Sequence, residues 1–231
     1  MFNKSWARHL IGAAVLVAIA APVVAAPMID FESPSPWLYS FDGTYTQAGF
    51  LVTPTGGGGT PDAIVDISFC NPFLEYCAVG NNTSYLTTLN DAQLTITSAS
   101  GDLFNLGSFD ASFFPSPFIN FSGSMFRLLL TGTTSGGGSV TQTVDLLGDD
   151  GFGNFSFDSY MADSAFTQLL ALSFSVCLVD QTSCVAPGQN EAQFAIDNIA
   201  FNANSVPEPS AAWLAALGLA GLTLTRRRAR Q

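Results

Sequence analysis

The chain has 231 residues, 48% of them hydrophobic and only 11% charged, with a formal net charge of −11. That length holds one domain or at most two, and sparse charge with abundant Thr, Ser, Gly and Phe suits an exported β-protein better than a cytosolic enzyme. So large an acid excess repels phosphate backbones and sets nucleic acid aside as a partner, while cations such as calcium are attracted.

The few cations sit at the ends. Lys4 and Arg8 open the chain, Arg226, Arg227, Arg228 and Arg230 close it, and Arg127 is the only Lys or Arg between them. "MFNKSWARHL" followed by the apolar run "IGAAVLVAIAA" and the small residues "VVAA" reads as a signal peptide over residues 1–26, cut near Ala25 or Ala26. The alternative, an uncleaved membrane helix, suffers from the shortness of the run. Cleavage leaves the protein outside the cytoplasm, where disulfides persist.

From about Pro27 to Asn204 the chain alternates apolar and polar residues with turn residues between the runs. "MIDFE" (Met28–Glu32), "AGFLVTP" (Ala48–Pro54) and "DAIVDISF" (Asp62–Phe69) are the early strands. "AQLTITS" (Ala92–Ser98) places Leu94 and Ile96 on one face, and "MFRLLLTG" (Met125–Gly132) with "SVTQTVDLLG" (Ser139–Gly148) reads as a hairpin. "DSYMADSAFTQLLAL" offers one helical turn at its start, and "TQLLALSFSVCLV" (Thr167–Val179) and "AQFAIDNIAF" (Ala192–Phe201) are the late strands. Strands at this spacing predict an all-β fold, an antiparallel β-sandwich over residues 27–204, with phenylalanines in its core.

The cysteines repeat a spacing: "CNPFLEYC" and "CLVDQTSC" each hold six residues between the pair. Local disulfides Cys70–Cys77 and Cys177–Cys184 are favoured over a zinc site, which wants closer pairs. The one histidine is His9, inside the signal peptide, so the mature chain has no Ser-His-Asp or Cys-His constellation and no His-ligated metal. No G-x-S-x-G elbow or P-loop is present, and "TGGGGT" and "TSGGGSV" read as hairpin loops.

The chain closes on "VPEPSAAWLAALGLAGLTLTRRRAR". Pro207-Glu208-Pro209, an apolar segment from about Ala211 to Leu224 and the cluster Arg226, Arg227, Arg228 stand in that order, within a tail spanning residues 205–231. The prolines keep the tripeptide extended. The segment, about 21 Å long as a helix against a bilayer core of about 30 Å, makes a marginal transmembrane helix. The arginines stay cytoplasmic. This tail resembles the PEP-CTERM sorting signal of Gram-negative bacteria. The resemblance implies recognition by an exosortase, transient residence in the inner membrane, cleavage near the tripeptide, and delivery to the cell surface or the exopolysaccharide matrix of a biofilm. The body, with its opening "IDFE", its "LTITSASGDLFNLGSFDAS" stretch and its closing "FAIDNIAF", resembles jelly-rolls of the galactose-binding-like and carbohydrate-binding kind.

In jelly-rolls of this kind the first and last strands often lie side by side, which would bring Asp30 and Glu32 near Asp197. Clustered carboxylates are protonated, solvated or metal-bound; structural calcium is one reading and water-facing strand ends the other. "LGDDGFGNFSFD", with Asp149, Asp150, Asn154 and Asp158, lacks the EF-hand ligand order and reads as a turn. Trp37, Tyr39 and Tyr45 lie in a Pro- and Gly-broken stretch and are candidates for stacking on sugar rings, with core or strand-edge packing the favoured reading. The leading expectation is a non-catalytic exported surface or matrix protein that binds polysaccharide. The alternative is a carbohydrate-active hydrolase using a carboxylate pair, drawn from its aspartates and Glu32, Glu75 and Glu191.

Overall fold

The computed structural model describes residues 26–32, 43–56, 63–65, 78–114, 125–148, 154–180, 183–185 and 193–202. In chain order the strands are β1 (Met28–Ile29), β2 (Tyr45–Gln47), β3 (Phe50–Thr55), β4 (Ala63–Val65), β5 (Ala78–Val79), β6 (Leu86–Thr88), β7 (Gln93–Ser98) and β8 (Asn105–Phe113). They continue with β9 (Met125–Thr134), β10 (Ser139–Leu146), β11 (Phe155–Ser156), β12 (Asp158–Met161), β13 (Leu169–Asp180), β14 (Ser183–Val185) and β15 (Phe194–Asn202). There is no helix among the described residues, and therefore none long and apolar enough to cross a membrane. The signal peptide and the sorting tail lie outside the described residues, as do Cys70, Cys77, Trp37, Tyr39, Glu75 and Glu191.

Two antiparallel sheets face each other. The first runs β12-β8-β15-β6-β4, with β1 also on β15; the second runs β10-β9-β13-β7-β3-β2, with β14 on β13. A short parallel pair, β5 with β11, stands apart from both. Alternation drives the assembly: Leu94 and Ile96 of β7, Phe126, Leu128 and Leu130 of β9, and Leu172 and Phe174 of β13 are buried, while the residues between them turn away. Phe109 of β8 meets Phe174 of β13 edge-on at 5.3 Å, and Phe50 of β3 stacks on Phe201 of β15 at 3.8 Å, so aromatic rings join the two sheets. The antiparallel β-sandwich expected from the strand pattern is the fold.

The β9–β10 hairpin forms as expected, with Thr134 N–H donating to the Gly138 carbonyl at its turn. At the β2–β3 turn Ala48 and Gly49 both take positive φ, 51° and 83°, the geometry that matches strand twist in a two-residue loop. Two expectations are corrected. The segment read as starting with a helical turn is instead β12, pairing with β8 through Asp158↔Ala111 to Met161↔Ser108. The opening strand is shorter than Met28–Glu32: it pairs with β15 only through Met28↔Ala200 and Ile29↔Ile199. It stops because Phe31 adopts φ 53° to drive its ring into the core, where it is fully buried near Tyr45.

Cys177 and Cys184 form a disulfide with Cα atoms 5.5 Å apart, tying β14 back onto β13. This is the local pairing that the spacing favoured.

Candidate functional site

β1 and β6 pair end to end along one edge of β15: Ala195 and Ile196 pair with β6, and Ile199 and Ala200 with β1. Between them lies a bulge at Asp197 and Asn198, where Asn198 takes φ 49°. The bulge lets Ile196 and Ile199 both enter the core, while Asp197 turns to the opposite face of the sheet. There the segment from Gly80 to Tyr85 covers it.

Asp197 is fully buried. Its Oδ2 accepts hydrogen bonds from Asn81 Nδ2 at 2.7 Å and Thr83 Oγ1 at 2.9 Å, and its Oδ1 has no hydrogen-bond partner among the described residues. Directly across the ladder on β8 stands a second carboxylate, Asp110. Asp110 is held by Ser159 Oγ at 2.6 Å and Asn198 Nδ2 at 2.8 Å. Burial pushes the Asp197 carboxyl up to about 6, with the negative charge of Asp110 adding to the rise; the Asn81 side chain, the Asn198 backbone N–H and the Thr83 side chain pull against it.

Beside this pair the surface opens into a groove of about 390 Å³. Asn81, Asn82, Thr83, Asp110, Asp158, Ser159 and Asn198 line it, with Gly80 and Phe157 completing the wall. Tyr85 packs edge-on against Phe157 at 5.1 Å and stiffens that wall from below. The lining is a set of planar amides, carboxylates and hydroxyls, able to donate and accept in one small space.

The sequence-derived candidates fall out differently. The first and last strands do lie side by side, but Asp30, Glu32 and Asp197 do not form a ligand set. Had β1 continued, Asp30 and Glu32 would share a face; the left-handed turn at Phe31 separates them. Asp30 Oδ1 accepts from Gln47 Nε2 and from Glu32 N–H, whereas Glu32 Oε1 accepts from Ser84 N–H at 2.9 Å. Among the described residues no three His, Cys, Asp or Glu come close enough to share a metal ion. Tyr45, a candidate for sugar stacking for which core or strand-edge packing was the favoured reading, is a core residue with 4% exposure, because β2 turns it inward opposite Val52. Asn81, Thr83 and Asp110 were missed. Asp110 becomes part of the site only through the β8–β15 register, and alternation within one strand does not reveal its partner on another.

The tail beyond β15 decides where this body travels. A family model for the PEP-CTERM protein-sorting motif matches residues 205–228.

The chain carries a PEP-CTERM protein-sorting motif.

The match spans Pro207, Glu208, Pro209 and the arginines Arg226, Arg227 and Arg228. A PEP-CTERM motif marks a chain as exported and processed by an exosortase, with the cell surface or the extracellular space as its destination. No curated protein matches the sequence. Among solved structures the chain is similar to TmCBM61 in complex with β-1,4-galactotriose, at 11% identity over 67% of this chain and 88% of that one, with a TM-score of 0.31. It is also similar to the CBM22-1–GH10 modules of the Clostridium thermocellum endo-1,4-β-D-xylanase 10B complexed with xylohexaose, at 14% identity over 79% of this chain and a TM-score of 0.36. The chain spans 30% of that second, longer structure.

Proposed function

We propose that this PEP-CTERM protein is a non-catalytic polysaccharide-binding component of the cell surface or extracellular matrix, retained there by sugar contacts in the groove beside Asp110 and Asp158. The observation that carries the reading is the sorting motif, which marks the body for export to the cell surface or extracellular space, where polysaccharide is the partner this reading assigns to it. The groove supports it: amide and carboxylate groups fixed in paired hydrogen bonds are preorganised for the vicinal hydroxyls of a sugar, and little ordering is left for the ligand to impose.

A binding role is favoured over the hydrolase alternative by the state of the carboxylates. A glycosidase needs a protonated acid that touches the glycosidic oxygen. Asp197 is the carboxyl raised toward neutrality, and it has no exposed surface with which to touch a substrate. Asp110 already has both oxygens engaged by Ser159 and Asn198. The test is affinity electrophoresis of the mature protein through gels carrying polysaccharide from the host's own matrix, run beside the double variant Asn82→Ala/Asp158→Ala. Both residues are exposed at the groove, so the variant should fold. Retardation of the wild type and its loss in the variant are expected, with no release of reducing ends. Release of reducing ends by the wild type, abolished by Asp158→Ala, would replace binding with hydrolysis.

A further inference from the structure

Both ends of the described body leave the sandwich at one pole. β1 runs antiparallel to β15 through Met28↔Ala200 and Ile29↔Ile199, and Phe201 N–H donates to the Pro27 carbonyl at 2.9 Å. Pro27, next to the expected signal-peptide cut, therefore lies beside the end of β15 at Asn202. Two turns frame this pole. Ala48 and Gly49 join β2 to β3, Gly101 takes φ 77° after β7, and Ala99 N–H donates to the Gly49 carbonyl at 2.8 Å, which ties the turns together. Between them lies a cavity of about 240 Å³. Phe50, Phe104 and Phe201 form one wall, their ring centroids 3.8 to 5.5 Å apart. At the exposed mouth Ser100 Oγ donates to Asp102 Oδ2 at 2.6 Å, and the Ser98 hydroxyl is 2.9 Å from that of Ser100.

The sorting motif begins almost at once beyond this pole. Four residues, 203 to 206, separate Asn202 from Pro207, so the tripeptide starts at most about 18 Å from the pole even at full stretch. Ala211, where the apolar segment starts, is nine residues on from Asn202 and at most about 32 Å away. A protein of even about a hundred residues has a radius of gyration of about 13 Å. A protease closed around Pro207-Glu208-Pro209 therefore fills the gap between tripeptide and body, and its surface reaches the pole.

We propose that this pole is a docking face for the exosortase, engaged together with the tripeptide during processing. The inference rests on the sorting motif and is independent of the polysaccharide reading. The cavity sets the chemistry of the contact. An apolar cavity of about 150 Å³ holds a benzene ring, so about 240 Å³ walled by three phenylalanines accepts one apolar or aromatic side chain of the enzyme. Asp102, fixed by Ser100, offers a carboxylate at the rim to a basic or N–H donor group beside that side chain. The bilayer surface is the poorer occupant. The one charged residue that lines the cavity is an acid, and anionic headgroups repel it.

The experiment follows conversion of the full-length precursor to its cut form by pulse-chase immunoprecipitation in exosortase-positive cells. Ser100→Arg/Asp102→Arg puts two cations at the exposed mouth of the cavity, and Asp102→Arg alone keeps the test open should the pair impair folding. β13 starts beside Phe104 at the pole and ends where β14 pairs with it, so Ser183→Arg/Val185→Arg on β14 is the control at the far end. Inserting about twelve Gly and Ser residues after Asn202 adds about 20 Å of average reach and frees the enzyme from the pole. Conversion should be roughly fivefold or more slower in the pole variants and unchanged in the control. The insertion should also slow the wild-type body, and the pole arginines should add nothing on the long linker, the signature of one shared contact. Wild-type rates in the pole variants, or equal slowing by the control, overturn the proposal. So does the same slowing by the arginines on both linkers, which places the defect outside the contact. Faster conversion of the pole variants identifies the anionic bilayer as what the pole meets, and faster conversion after the insertion identifies the tail as held back by the pole; either overturns the proposal. If the wild-type precursor is not converted at all, the sorting reading falls and this proposal with it.

Discussion

Replacing Asp197 by Asn should stabilise the protein at neutral pH and leave it nearly unchanged in mild acid. The buried carboxylate faces Asp110 across the ladder and has one oxygen without a hydrogen-bond partner among the described residues. Its carboxyl is raised from 3.8 to about 6, burial being the main cause. Because the folded pKa lies above the unfolded one, the folded state holds more protons between the two values. Stability contributed by the protonated form is therefore complete below about pH 4 and lost as pH rises through about 6. A shift of about 2 pH units corresponds to about 3 kcal/mol as an upper bound, since water in the adjoining groove screens part of it. Asn keeps an oxygen to accept from Asn81 and Thr83 while removing the charge. Urea unfolding of both proteins at pH 4, 5, 6 and 7.5 measures the difference, and subtraction cancels the general acidic repulsion they share. The gap should open between pH 4 and 6.5 in favour of Asp197→Asn. A gap that is constant with pH, or a variant less stable than wild type at pH 7.5, would refute the assignment of Asp197 as an uncompensated buried charge.

Three further outcomes are expected. Replacing Cys177 and Cys184 by Ala and Ser removes the closure of an eight-residue loop, and the midpoint in urea should fall by the equivalent of about 2.5 kcal/mol. Phe109→Ala empties a fully buried site against Phe174 and Tyr160 and should cost about 3–5 kcal/mol by thermal unfolding, against little change for exposed Thr141→Ala. Alanines at Pro207, Glu208 and Pro209 should leave an unprocessed form in the inner membrane, detected by immunoblot of fractionated cells.

The parts of the fold legible in the sequence are those in which alternation runs long enough to be periodic. β7, β9 and β13 follow their apolar faces, and inward residues such as Leu94, Ile96, Leu128, Leu130, Leu172 and Phe174 are buried as the pattern requires; β10 pairs with β9 as expected but leaves Val140 and Val144 half-buried. Short elements escape this logic. β12 has four residues and a composition that fits a helical turn equally well; its pairing with β8 decides it. The left-handed Phe31 is invisible to pattern, because a bulky residue at positive φ is held there by its burial rather than by local preference. Of the site, the sequence offered only Asp197, as a candidate calcium ligand with Asp30 and Glu32; its actual partners Asn81 and Thr83 come from 116 and 114 residues away. The sorting tail was the most legible part of all, since its tripeptide, apolar segment and arginines are contiguous and act through the chain itself.

The central claim is that an exosortase delivers this body to a polysaccharide it then holds. Its most direct test is the location and mass of the protein in otherwise identical cells with and without the exosortase. With the enzyme, a form cut near Pro207-Glu208-Pro209 should appear in the surface or matrix fraction and be released by enzymatic digestion of the matrix polysaccharide. Without it, a longer form should remain in the inner membrane. The same mass and the same location in both strains, or a surface form indifferent to removal of the polysaccharide, would contradict the claim.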